Sequence, residues 1–429
     1  MNSGFQTHKC DLEISPSAHD SSNECAKVVN SFKRIASLFG YFWQQTILYL
    51  VDNEYFSLMK TWLSRFYAHL MRQWSWWVLI PLALLIRALV YFPDQVEVYY
   101  STRFFPAFSA VQRFLFGWLP ISVGDILYAF LLLALIYQIA QLVYGLIRKR
   151  STRKVLAELS QRIIFLLLLA YVGFNICWGL NYSRPSLSTK MGLTIQTPEA
   201  AELDTLAVDL LARLEEYAPL STPAQRDSFN LKKRLFQTAA DGYRNYKGGK
   251  IAVSYTRSSI KPSLYSYPGN YLGFQGYYNP FSGEAQVNTT IPRFLEPFVT
   301  AHEIAHQLGY AREQEANFIA VLVCDQSAEP AFRYSMYLDL FLYTLGEIAI
   351  QDTAQAKRYK QQAPQQVQDD IAAYGKFIRQ HRNPIERGIM WLYGEFLRAN
   401  NQPNGKFTYN EVVSWVIAYR RTFGRTSLI

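Results

Sequence analysis

Two histidines four residues apart, with a glutamate beside the first, give the stretch PFVTAHEIAHQLGYAREQEAN (297–317) the pattern HExxH at His302, Glu303 and His306. On an α-helix, residues four apart lie about 40° apart around the axis, so both imidazoles point the same way and can hold one metal ion. A carboxylate at Glu303 can take a proton from a metal-activated water, the division of labour of zinc peptidases. The expectation is therefore a Zn2+ site with His302 and His306 as ligands and Glu303 as catalytic base.

A helix must hold these residues. Pro297 suits its first turn, Gly309 the residue past its end, and Ile304 and Leu308 supply an apolar ridge between them. If the helix ran straight on, Glu313 would lie about 16 Å along the axis from His302, far beyond a metal–oxygen bond of about 2 Å. The chain is expected to turn at Gly309, because glycine tolerates the left-handed conformation, and to start a second helix near Arg312 that folds back on the metal. Glu313 and Glu315 compete for the third ligand position; two residues apart, they face roughly opposite sides of a helix, so only one can serve. Asn317 lies on the face of Glu313, where it can hydrogen-bond a ligating histidine, and this favours Glu313. Arg312 stands where the HExxHxxGxxH class has its third histidine, which also points to a carboxylate. For stabilising a developing oxyanion the candidates are His381, Arg333, Tyr310, Tyr334 and Tyr337.

The combination of HExxHxxG (302–309), EQEANF (313–318) and the preceding GYYNPFSGEAQVN (276–288) resembles an uncharacterised bacterial membrane family, a group of unknown function with three membrane helices and a zincin-like domain. The resemblance runs from about Trp76 to the C-terminus. The shorter ExxAN, Glu313 to Asn317, is similar to the ligand helix of gluzincin and ImmA/IrrE-like metallopeptidases, which implies Glu313 as ligand. It implies no substrate.

The 429 residues are 50% hydrophobic, 16% aromatic and only 18% charged, a balance that points to membrane segments. Residues 126–147 and 163–182 are uncharged runs long enough to cross a bilayer core of about 30 Å. A third span, 76–92, is interrupted by Arg87, which can snorkel to the headgroups, with Trp76, Trp77, Tyr91 and Phe92 at the interfaces. Residues 35–51 read as an interfacial helix. The basic loop RKRSTRK (148–154) keeps the connection between the second and third spans cytoplasmic. The N-terminus is then cytoplasmic, the 94–125 connection lies outside at the membrane surface, and everything after Tyr182 is extracytoplasmic, in the periplasm of a bacterial inner membrane. The net charge of +10 comes from scattered basic residues without a nucleic-acid motif, so the expected partners are the lipid bilayer and a protein or peptide substrate, with no nucleic acid.

Cys10 and Cys25 fall in the tail, Cys177 in the third span, and Cys324 alone in the outer part, so no internal disulfide is expected there. Residues 1–70 carry no cleavable signal pattern, and Met71 is a candidate biological start. Helices are expected at 198–217, 227–246, 331–350, 367–380 and 384–400, with a last one in YNEVVSWVIAYRR. Strands are expected at 250–256 and 284–290, the latter an edge beside the metal helix on which an extended substrate can pair.

The fold class is α+β and mainly helical. The expected division is a cytoplasmic tail (1–75), three transmembrane helices (76–182) and an extracytoplasmic zincin-like domain with a small antiparallel sheet (183–429). The expected function is a membrane-anchored zinc metallopeptidase of an envelope protein or peptide. The alternative is a non-catalytic receptor or scaffold of the same fold. A transporter is disfavoured, since the spans carry no polar clusters.

Overall fold

Apolar periodicity and proline punctuation set most of the helices. The computed structural model describes residues 73–147, 152–230, 232–248, 251, 255–400, 402 and 411–429. The interfacial helix expected at 35–51 and the start at Met71 lie outside the described residues. Residues 78–429 form one compact unit.

The first helix, α1 (Gln73–Leu89), ends earlier than the expected 92, because Pro93 lacks an N–H and restricts the residue before it. The chain bends there by 106° and continues through a π-helical stretch, Val96–Phe104, into α2 (Phe105–Phe116). The membrane-surface connection expected at 94–125 is thus largely helical. Its Arg113 is buried rather than at the surface, bonded to Ser109 and facing the carbonyl of Gln307. Two helices are long and apolar enough to cross a membrane, α3 (Val123–Ile147) and α4 (Thr152–Cys177), and α1 with α2 makes a third if the bent pair is one span.

Among the described residues the remaining helices of seven residues or more are α5 (Ala200–Tyr217), α6 (Lys232–Asn245), α7 (Ser266–Leu272), α8 (Glu296–Gln307), α9 (Glu313–Asp325), α10 (Pro330–Gln351), α11 (Thr353–Gln362), α12 (Gln365–His381), α13 (Pro384–Ala399) and α14 (Glu411–Phe423). Buried side chains of α5, α6, α8, α9, α10 and α14 form one apolar core, with Leu210, Tyr243, Ile304, Phe318, Phe341 and Val416 fully or almost fully inaccessible. Cys324 is part of it, a small buried apolar residue as expected.

The sheet corrects the expected antiparallel arrangement. It is mixed, with order β1–β3–β2: β1 (Ile260–Pro262) runs parallel to β3 (Glu284–Val287), and β2 (Gly276–Asn279) antiparallel to it. α7 leads from β1 into β2, which runs the opposite way, and the β2–β3 hairpin turns the chain back, which makes β3 parallel to β1. Of the strand expected at 250–256, residues 250 and 252–254 lie outside the described residues, while Ile251, Tyr255 and Thr256 are not in a strand. The strand expected at 284–290 stops at Val287 and is the central one, so it offers no edge to a substrate. The edges are β1 and β2.

β3 alternates polar and apolar residues, yet all four are buried, because the start of α3 covers its polar face. The Glu284 carboxylate accepts hydrogen bonds from the backbone N–H of Gly124 (2.7 Å) and Val123 (3.2 Å) and from the Ser282 hydroxyl (2.9 Å). A negative charge at a helix N-terminus satisfies N–H groups that lack intrahelical partners. In the same turn Asp125 accepts from the backbone N–H of Leu264 (2.6 Å), the Ser263 hydroxyl (3.1 Å) and the Tyr277 hydroxyl. Residues 263–284 are thereby bonded to the first turn of α3.

Candidate metal centre

Every residue of α8 is buried, and its cross-links fix the helix before any metal is considered. Gln307 donates to the carbonyls of Ser259 (3.0 Å) and Gly283 (2.6 Å) and accepts from the Tyr255 hydroxyl, which locks the end of α8 to the sheet. Just beyond α4, the Trp178 indole N–H donates to the carbonyl of His306 (3.1 Å).

The chain turns at Gly309 with φ +91°, and α9 begins at Glu313, with Arg312 as its N-cap, as the spacing requires. A Cβ at Gly309 would also meet the Phe105 ring at 2.9 Å, so glycine is needed there on two counts. The turn brings Glu313 Oε2 to 3.3 Å from His302 Nε2 and 3.3 Å from His306 Nε2. His302 Nδ1 is 2.7 Å from Asn317 Oδ1, and His306 Nδ1 is 2.7 Å from the Tyr310 carbonyl oxygen. Both acceptors favour a proton on Nδ1, which leaves each Nε2 lone pair aimed at the shared point. Glu315 faces elsewhere, accepting from the Leu187 N–H (2.9 Å) and Arg312 (3.1 Å).

The cluster fits a metal ion. Bonds of about 2.0–2.1 Å from one tetrahedral ion place its ligand atoms about 3.3–3.4 Å apart. The observed 3.3 Å separations match that edge, and the three ligand atoms lie within 4.8 Å of one another. Glu313 Oε2 is buried with no hydrogen-bond donor among the described residues, while Oε1 accepts from the Tyr393 hydroxyl (2.7 Å). Burial pushes the Glu313 carboxyl up, but His306 and His302 outweigh it and hold the group well below the usual carboxylate range. For His306 burial works downward, and the Glu313 charge overcomes it, raising the imidazole to about 9. Burial, with His306 beside it, lowers His302.

Glu303 is 4% exposed, and its Oε2 also has no hydrogen-bond partner among the described residues. Burial pushes its carboxyl up to about 8, with His306 opposing and Glu313 adding to the rise. It lines a cavity of about 300 Å³ together with His302, Gly276, Asp339, Tyr343 and Tyr393. A Cβ at Gly276 would come within 2.4 Å of Glu303 Oε1, so the bare backbone of β2 is what leaves this carboxylate its place. A larger depression of about 560 Å³ between α5 and residues 362–366 has Glu215 as its one charged lining residue and no metal-ligating group.

The proposed oxyanion helpers are otherwise engaged. His381 bonds the Phe377 carbonyl (2.9 Å) and stacks edge-on with Tyr271, Arg333 donates to the Ser327 carbonyl (2.7 Å), and the Tyr334 and Tyr337 hydroxyls donate to Asp370 (2.6 Å) and Asp325 (2.8 Å). Tyr310 serves the site through its backbone carbonyl. Sequence spacing missed Tyr393, Tyr343 and Asp339, which come from α13 and α10. The one signal for Tyr393 was the helical repeat of α13, which puts 386, 390, 393 and 397 on one face.

Fold and site together define a mainly helical chain with two or three apolar helices and a buried His–His–Glu cluster. The family model "Protein of unknown function (DUF3810)" matches residues 100–417, and the chain belongs to that family. The match contains the whole cluster with α3 and α4, and starts after α1. No curated protein and no solved structure matches the chain.

Proposed function

We propose that the protein is a membrane-anchored zinc metallopeptidase that hydrolyses a peptide bond of an envelope protein or peptide. The observation that carries this reading is the pair of 3.3 Å contacts from Glu313 Oε2 to both imidazole Nε2 atoms, with the unpartnered carboxylate of Glu303 beside them in a cavity. His302, His306 and Glu313 would hold the ion, two neutral nitrogens and one carboxylate suiting Zn2+. When bound, zinc supplies Lewis-acid polarisation of a carbonyl and makes water a nucleophile at neutral pH. Glu303 takes the proton from the attacking water and delivers it to the leaving amine. Asn317 and the Tyr310 carbonyl orient the two imidazoles, and Tyr393 holds the free oxygen of Glu313.

In this reading α3 and α4 span the inner membrane of a bacterium, α1 with α2 contributes the third membrane segment, and the site lies outside the cytoplasm. The basic loop 148–154 supports that orientation. The test is metal content and hydrolysis of a peptide library by the full-length protein in detergent, beside Glu303→Gln and His302→Ala. The expected result is one zinc per chain in the wild type and in Glu303→Gln, with turnover lower by about 10²–10⁴ in that variant, and loss of metal in His302→Ala. Metal without cleavage in the wild type would favour the non-catalytic receptor, and no metal would end the reading built on His302 and His306.

A further inference from the structure

The cavity wall formed by α13 has an unusual back. Its inward face carries Met390 and Tyr393 toward the cavity and the fully buried Leu397. The opposite face of a helix on a water-soluble surface is polar. Here the exposed surface of α13 carries Ile385, Trp391, Leu392 and Phe396, exposed by 67, 60, 57 and 39%, beside the Glu395–Arg398 ion pair. The patch continues onto α7, where Tyr267 is 64% exposed, and onto Leu264 just before it. The two helices are joined: the Asn383 side chain donates to the Tyr271 carbonyl (2.7 Å), and Gly273 abuts Met390. Contiguous exposed apolar surface of this kind marks a contact with something else.

What it meets follows from where the two helices are fastened. Leu264 and Tyr265 bond Asp125 in the first turn of α3, the latter from its hydroxyl to the Asp125 carbonyl (2.8 Å). At the other side the Phe396 ring packs on Phe174, in the last turn of α4, with centroids 5.8 Å apart. The patch is therefore tied to the same end of both apolar helices and continues their own exposed apolar flanks, Phe130 to Leu133 on α3 and Leu167 to Tyr171 on α4 among them. Arg382 and Arg387, exposed near the start of α13, supply positive charge beside it. Tryptophan, tyrosine and flanking arginine are the residues of the headgroup level, where an amphipathic helix lies with its apolar side in the acyl boundary.

We propose that the outward face of α13, continued by α7, is a membrane-binding surface that rests in the headgroup layer of the leaflet reached by the start of α3 and the end of α4. The proposal rests on the reading of α3 and α4 as membrane spans. Because Tyr393 on the other face of α13 bonds Glu313, the wall of the metal cavity is seated on the bilayer.

The test uses the full-length protein in vesicles of phosphatidylcholine and phosphatidylglycerol. A genetically encoded fluorescent amino acid replaces in turn Leu392, Ile385, Val208 of α5 and Leu132 of α3. Leu392, Val208 and Leu132 are similarly exposed, at 57, 51 and 55%. Lipids with a nitroxide high on the acyl chain are expected to quench the probes at 392 and 385 at least about threefold more than the probe at 208, and lipids with a deep nitroxide to quench the probe at 132. Quenching at 132 with 392 and 385 no better quenched than 208 overturns the proposal. If cross-linking at 392 then joins two chains, a second copy is the occupant. Absence of quenching at 132 overturns the spanning reading, and the proposal with it.

Discussion

Among the described residues Glu313 Oε1 accepts a single hydrogen bond, from the Tyr393 hydroxyl, and that bond helps set which way the other oxygen faces. Partners of this kind typically alter metal affinity when removed. Tyr393→Phe is expected to weaken zinc binding by about tenfold while keeping one ion per chain, as read by competition with a chromogenic chelator. An unchanged affinity would show that the two histidine contacts alone fix the carboxylate. Asp339, on the cavity side of α10, has neither a hydrogen bond nor an ion pair among the described residues, and burial pushes its carboxyl up to about 7. With the folded value above the unfolded value of about 3.8, its favourable contribution is complete below that pH and is lost as pH rises through about 7. Asp339→Asn removes the dependence. Relative to wild type the variant is expected to gain on the order of 2 kcal/mol between pH 4 and pH 8, allowing for water in the cavity, in denaturant titrations at each pH. A difference between the two proteins that does not change with pH would contradict the assignment.

At the scale of elements, β2 gives the Glu303 carboxylate its space. Gly276→Ala places a methyl 2.4 Å from Glu303 Oε1 and 2.8 Å from its Cγ and Cδ, so the side chain must move. The three nearest atoms all belong to Glu303 and none to the proposed ligands His302, His306 and Glu313. The expected outcome is full zinc occupancy with turnover reduced by about 10–100-fold, since misplacing a reacting group by even an ångström is costly. Zinc loss in parallel with activity would mean that the strand supports the ligands and not the base. The same strand shows where sequence reading stops. The turn at Gly309, the start of α9 and the return of Glu313 follow from spacing within about twelve residues, and helix geometry fixes them locally. α3 was legible from length, and α5, α10, α12 and α13 from their repeats, to within two or three residues, whereas α4 runs Thr152–Cys177, starting eleven residues before and ending five short of the expected 163–182. The sheet was not, because the pairing of Ile260 with Ala285 spans an intervening helix and strand, and alternation in 284–287 says nothing of what covers its polar face. Asp339 and Tyr393 reach the cavity through packing of α10 and α13, which no local pattern encodes.

At the scale of the molecule, the sheet is the junction between the apolar helices and the metal centre. β3 presents Glu284 to the first turn of α3, while its neighbour β2 lies against Glu303. The Glu284 carboxylate collects donors from Ser122, Val123, Gly124, Ser282 and Gln286, all converging on one buried group. Removing such an acceptor leaves several buried donors unpaired, a loss of about 3–5 kcal/mol. Glu395, paired with Arg398 on the surface of α13, is the control, since a fully exposed pair is screened by solvent and adds little. Glu284→Ala is expected to lower the thermal unfolding midpoint in detergent by several degrees and to release zinc at the same lowered temperature, whereas Glu395→Ala moves neither. If the junction is as described, unfolding and metal release stay coupled, because loosening α3 from β3 also loosens β2 beside Glu303. Metal release at the wild-type temperature, with only the helical signal shifted downward, would show that the metal centre keeps its shape without the membrane-side helices and that the sheet is not the link between them.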